Sequence, residues 1–145
     1  MPTRKARTAW NGTLEQGSGQ VELTSSGIGT YEVSFPSRSA DEAGGRTSPE
    51  ELIAAAHSSC YAMQLSALLG EAGFPPQALH VSAEVGLGPD PAGGFQIPDI
   101  TLTVSGEVEG IDEAKFVEVA QAAKDTCPVS KALAGTSISL EASLA

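Results

Sequence analysis

Three features of this 145-residue sequence predict an α+β fold. Alternating, β-branched segments appear in the first third, the middle and the last ten residues. One long stretch starting at Ser48 reads as a helix with almost no charged face. The segments do not follow the regular strand–helix–strand alternation of a doubly wound parallel sheet. Apolar residues make up 41% and charged residues 18%, which is enough for a core and argues against disorder. The length fits one domain, residues 1–145, and no repeat, low-complexity tract or linker divides it.

The opening residues hold Arg4, Lys5 and Arg7, three of the eight basic residues. No apolar stretch follows them, so they read as a solvated tail or an edge strand and not as a secretory signal. Residues 21–23 and 28–35 read as strands, with Gly and Ser at the breaks. Residues 36–47, rich in Ser, Asp, Glu and Gly, read as a loop that carries Arg38 and Arg46. Ser48-Pro49-Glu50-Glu51 is a helix start: Ser48 caps, Pro49 suits the first helical position, and Glu51 completes a capping box. Glu50 is then free to orient another group, for which an arginine is the natural choice. The helix runs to about residues 70–73, where Gly-Phe-Pro-Pro stops it. Residues 80–87 and 97–108 read as strands joined through a Gly/Pro-rich turn. A second helix spans residues 113–124, a third, short one opens at Cys127-Pro128, and residues 137–144 alternate as a final strand.

The net charge of −10 would repel phosphates and excludes a nucleic-acid binder. No run approaches the roughly 18–20 apolar residues of a membrane span, which excludes an integral membrane protein, and no membrane partner is expected. Two cysteines are no disulfide framework, and a reducing cytoplasm is the expected compartment.

Those two cysteines are the candidates for chemistry. Cys60 lies in the middle of the apolar helix, where it is either a small buried hydrophobe or a reactive thiol. Cys127 lies just before a helix N-terminus marked by Pro128, and unpaired N–H groups there favour a thiolate. His57 and Cys60, spaced i, i+3, share a helix face, yet a zinc site would need carboxylates to finish it, so a hydrogen-bonded histidine and no metal are expected. His80 opens a strand without an evident partner. Asp90 and Asp99 lack a calcium-loop spacing, Gly86-x-Gly88 precedes no helix, and no serine sits in G-x-S-x-G, so no cofactor site emerges. Geometry adds one constraint: ten helical residues separate Glu50 from Cys60, about 15 Å along the axis. A group touching Cys60 can hardly also touch Glu50 of the same chain. With a helix that is apolar all round, this points to an intertwined homodimer.

Pro49-Glu-Glu-Leu-Ile-Ala-Ala-Ala-His-Ser-Ser-Cys60, then Gly70-Glu-Ala-Gly-Phe74, then Cys127-Pro-Val-Ser130 resemble the OsmC/Ohr family of thiol peroxidases. The resemblance covers essentially the whole chain, and His-Ser-Ser-Cys60 with Gly110-Ile111-Asp112 is closer to the OsmC branch. It implies a homodimer with antiparallel β-sheets wrapping two long central helices and active sites at the subunit interface. It implies that Cys60 is the peroxidatic nucleophile, that Cys127 resolves its sulfenic acid, and that Glu50 and an arginine complete the site. Arg38, after Ser34-Phe-Pro-Ser37, matches that arginine best, with Arg46 the alternative. It further implies reduction of organic hydroperoxides and hydrogen peroxide, recycling by a dithiol such as a lipoyl group, and a role in oxidative or osmotic stress. Tyr61, Met63 and Phe74 are candidates for an apolar lining near Cys60, although core packing is the favoured role of each. Two rival readings remain at this level: a non-catalytic ligand- or protein-binding dimer of the same fold, and a metal-dependent hydrolase using His57 and Cys60.

Overall fold

Strands β1 (Arg7–Asn11), β2 (Ser18–Glu22) and β3 (Thr30–Val33) pair antiparallel in that order in the computed structural model, which describes all 145 residues. They belong to the first of two compact units, Met1–Leu52 and Ile53–Ala145. The register sets Thr8 opposite Val21 and Val21 opposite Tyr31. β1 is an edge strand with every residue exposed, so the basic start runs into an edge, where Arg7 faces Glu22 at 3.6 Å. Charged side chains on an exposed edge discourage pairing with further strands.

The expected loop at residues 36–47 is corrected at its start. Residues Phe35–Ser39 form a short helix, α1. Ser34 caps it, accepting from the Ser37 N–H at 3.3 Å, and Pro36 sits in its first turn. The cap and proline were legible signals, outweighed in the sequence by the Ser/Asp/Gly-rich residues that follow. Arg38 consequently leaves the last turn of a helix instead of a loop.

Helix α2 (Pro49–Glu71) begins with half of the expected capping box. The Ser48 hydroxyl accepts from the Glu51 N–H at 3.1 Å, but the Glu51 carboxylate takes the Thr47 hydroxyl at 2.6 Å. Its end is as expected: the Phe74 N–H reaches back to the Leu69 carbonyl at 2.8 Å across Gly73, whose φ of 90° suits only glycine.

The second unit holds β4 (Ala78–Val85), the small hairpin β5 (Gly88–Pro89) and β6 (Phe95–Gln96), β7 (Asp99–Glu107), α3 (Glu113–Thr126), α4 (Pro128–Ala132) and β8 (Ser137–Leu144). The main sheet has the order β4-β7-β8. β4 pairs antiparallel with β7, Val81 opposite Val104, but β8 lies parallel to β7, Leu102 opposite Leu140. The expectation of purely antiparallel sheets is therefore corrected for one pair. The chain leaves β7, crosses through α3 and α4, and returns in the direction it left, as a helical crossover allows. Alternation leaves Ile100, Leu102 and Val104 buried on one face, with His80, Ser82 and Glu84 exposed on the other. The buried face packs with Tyr61, Leu65 and Leu69 of α2 and Phe116, Val119, Ala120 and Ala123 of α3.

α2 also corrects the reading on membrane spans. Its 23 residues average a mean hydropathy of 1.3 over their most apolar window, long and apolar enough for a span by length and composition. Ser, His, Gln and Gly interrupt the apolar run without lowering an alanine-rich average much. His57, Tyr61, Leu65 and Leu69, four residues apart, are fully buried, which is the stripe of a core helix. Ala55, Ala56, Ala67 and Met63, the last 72% exposed, form an uncovered apolar face.

Candidate active site

α2 and α3 are locked together beside the first thiol. The Tyr61 hydroxyl donates to the Ala120 carbonyl at 2.9 Å, and the Gln64 side-chain amide donates to the Thr126 hydroxyl at 2.8 Å. Cys127 closes α3, its N–H on the Ala123 carbonyl at 2.9 Å, and at the same time caps α4. Its Sγ lies 3.1 Å from Cys60 Sγ, with both thiols reduced. Cys127 is wholly buried, whereas Cys60 is half-buried.

The two thiols titrate in opposite directions. Burial pushes the Cys60 thiol up, the neighbouring Cys127 adds to this, and the Val129 N–H offsets it only in part. Burial also acts on Cys127, but the Ser130 N–H, the Cys60 thiol, the Ser130 hydroxyl and the Val129 N–H all hydrogen-bond its thiolate. Together they outweigh burial and bring Cys127 below the ordinary thiol value. The start of α4, set by Pro128, thus acts on Cys127 as its sequence position implied.

A second cluster lies in the first unit. Arg38 Nε donates to Glu50 Oε1 at 2.8 Å and Nη2 donates to Oε2 at 2.9 Å, a two-pronged fork. Glu50 is only 7% exposed, and its carboxylate holds the guanidinium more firmly protonated than usual. Arg46 instead faces Glu32 at 3.7 Å, with both side chains exposed. Beside Arg38 opens an apolar cavity of about 310 Å³, lined by Trp10, Leu14, Val21, Val33, Phe35 and Leu52 among others. The three candidates for an apolar lining near Cys60 stand apart from this cavity. Tyr61 is core, Phe74 packs against the core, and Met63 is exposed. The signal for Trp10 and Phe35 was an aromatic on an edge strand and one at a helix start, neither specific enough to read.

His57 is fully buried, with Nε2 2.8 Å from the Ser130 hydroxyl. Ser130 was quoted in the sequence only as part of a motif, and its contact with a histidine 73 residues away had no sequence signal. His80 stays on the exposed sheet face, apart from this group.

The profile of the family described as OsmC-like protein matches residues 41–143. The chain belongs to the OsmC-like family. It is 41% identical over 130 residues to peroxiredoxin OsmC of Escherichia coli (strain K12), covering 90% of this chain and 89% of that one. Among solved structures, the organic hydroperoxide resistance protein OhrB of Bacillus subtilis superposes with a TM-score of 0.72 at 26% identity, covering 97% of this chain and 98% of that one. An organic hydroperoxide resistance protein from Elizabethkingia anophelis gives a TM-score of 0.77 at 23% identity over 99% of each chain, a likeness of fold. The α+β fold expected from the sequence is thus the OsmC-like one, and this chain brings to it a close thiol pair and an arginine–glutamate fork.

Proposed function

We propose that this OsmC-like chain is a cysteine-based peroxidase that reduces organic hydroperoxides, and hydrogen peroxide less readily, to ROH and water. The observation that carries the reading is the 3.1 Å approach of Cys60 Sγ to Cys127 Sγ. A disulfide needs about 2.05 Å, so a small rotation of either side chain joins the pair. The Cys60 thiolate attacks the terminal peroxide oxygen. The O–O bond breaks, RO⁻ leaves to be protonated as ROH, and Cys60 becomes a sulfenic acid. Cys127 then attacks the Cys60 sulfur and the sulfenic hydroxyl departs as water. An external dithiol, of lipoyl or similar type, exchanges with the disulfide and is itself oxidised.

Burial works against ionisation of Cys60, so this chemistry needs a cation near it. Arg38, held by Glu50, is that cation in the proposal: it favours the thiolate and the departing alkoxide. Glu50 and Cys60 lie about 15 Å apart along one helix, so the fork serves the thiol pair of a second copy in a homodimer. Residues 1–145 act as one domain in that dimer. The cavity beside Arg38 supports the preference for organic over hydrogen peroxide, because an alkyl group leaves water there. The relative's name, peroxiredoxin OsmC, supports the class of reaction; a place in oxidative stress defence and a reducing cytoplasm belong to the same proposal.

The test is the intact mass of reduced protein after one equivalent of cumene hydroperoxide per chain. A loss of about two mass units, absent in Cys60→Ser, is expected. An unchanged mass overturns the peroxidase reading in favour of a non-catalytic binding dimer.

A further inference from the structure

The hydrogen bonds beneath the thiol pair run in one direction. Ser130 has a single hydroxyl proton, and that hydroxyl hydrogen-bonds the Cys127 sulfur. Spent there, the proton cannot also serve His57, so across the 2.8 Å contact Ser130 Oγ accepts from His57 Nε2–H. The other ring nitrogen agrees. Nδ1 is buried without a hydrogen-bond partner, and a bare acceptor is tolerated there better than an orphaned N–H. His57 is fully buried and burial lowers its affinity for a proton, so the ring is neutral and carries one hydrogen, on Nε2. Donation therefore passes from His57 to Ser130 to Cys127, and in the neutral pair onward from Cys127 to Cys60 at 3.1 Å.

We propose that His57 and Ser130 are a positioning pair that holds Cys127 as the resolving thiolate and, in recycling, as the leaving thiolate. The role rests on the reading of Cys127 as the resolving cysteine. In resolution, the Cys127 sulfur forms the S–S bond as the Cys60 S–O bond breaks. Hydroxide departs from the Cys60 sulfur and takes a proton from solvent to leave as water. In recycling, the incoming dithiol attacks Cys60, the less buried sulfur, and expels Cys127, whose charge the Ser130 hydroxyl and N–H receive. The mixed disulfide consequently forms on Cys60. The other titratable groups around Cys127 leave this arrangement undisturbed. Cys60 and Tyr61 both come from α2, and the Tyr61 phenol, bonded to the Ala120 carbonyl and pushed far up by burial, stays neutral.

The experiment titrates Cys127 by the ultraviolet absorbance of its thiolate in a Cys60→Ser background, where no peroxide chemistry enters. Ser130→Ala is expected to raise the Cys127 pKa by about one unit, as loss of one hydrogen bond to a charged group implies. His57→Leu should raise it in the same direction. His57→Gln, which keeps an N–H near the ε position, should restore it. With Cys60 present, Ser130→Ala should lengthen the life of the Cys60 sulfenic acid about tenfold. Nitrogen NMR of the unmodified protein, which needs no folded variant, should find His57 neutral with its hydrogen on Nε2. A Cys127 titration unmoved by Ser130→Ala, or the hydrogen on Nδ1, overturns the proposal. Because the titration uses no peroxide, such a failure is separate from a failure of the peroxidase reading, which the mass loss alone decides.

Discussion

A thiol that attacks at neutral pH has to lose its proton, and burial raises the Cys60 pKa while the cap of α4 lowers that of Cys127. The proposed nucleophile is thus the thiol that needs help, and in the proposal a guanidinium already fixed by Glu50 offers it without reorganising. Arg38→Ala should lower kcat/KM for cumene hydroperoxide about 100-fold and move the rising limb of its pH profile to higher pH, because the Cys60 pKa climbs further. Arg46→Ala should change kcat/KM by less than about twofold, since its contact with Glu32 is an exposed ion pair. Stopped-flow peroxide consumption checks both, and the reverse pattern would mean that Arg46 is the working arginine. At this scale much of the site was legible. Ser48 as cap left Glu50 free for an arginine, and Pro128 announced the helix start beneath Cys127. Helix α1 was hidden by the composition of the loop after it, and the His57–Ser130 contact by distance along the chain.

Elements were legible where one signal dominated. β8 alternates without interruption, and α3 is capped by Asp112, whose carboxylate accepts from the Lys115 N–H at 2.8 Å. The parallel pairing of β8 was not legible, because a strand's own pattern is the same in either direction and only the crossover decides. The pleat gives one further constraint. Gly106 in β7 lets α3 approach so closely that an added Cβ would stand 2.7 Å from the Phe116 ring. Phe116 is fully buried and the ring has little room to yield. Gly106→Ala should therefore destabilise the fold by about 1–3 kcal/mol, read as a fall in the thermal midpoint. Gly70→Ala, late in α2 with nothing within 4 Å of the new Cβ, is the matched control, and should hold or raise the midpoint. Equal losses in both would show that α3 adjusts and that the packing is looser than the geometry implies.

For the molecule as a whole, α2 carries an apolar face that the proposed dimer would cover. It buries the stripe His57, Tyr61, Leu65 and Leu69 but leaves Ala55, Ala56, Met63 and Ala67 uncovered, and a helix apolar on both faces is stable in water only when both are covered. In the proposal, a second copy is that cover, and the proposed active site calls for the same copy. That leads to a test in which two inactive chains make an active one. Arg38→Ala keeps the thiols and loses the guanidinium; Cys60→Ser keeps the guanidinium and loses the nucleophile. Refolded together in equal amounts, half of the dimers are mixed, and each mixed dimer holds one site with Arg38 from one chain and Cys60 from the other. Activity should return to about one quarter of the wild-type level per chain, although either variant alone has almost none. If Arg38 served the Cys60 of its own chain, every site in every combination would lack one group. The mixture would then stay inactive, and the shared-site dimer would have to be abandoned.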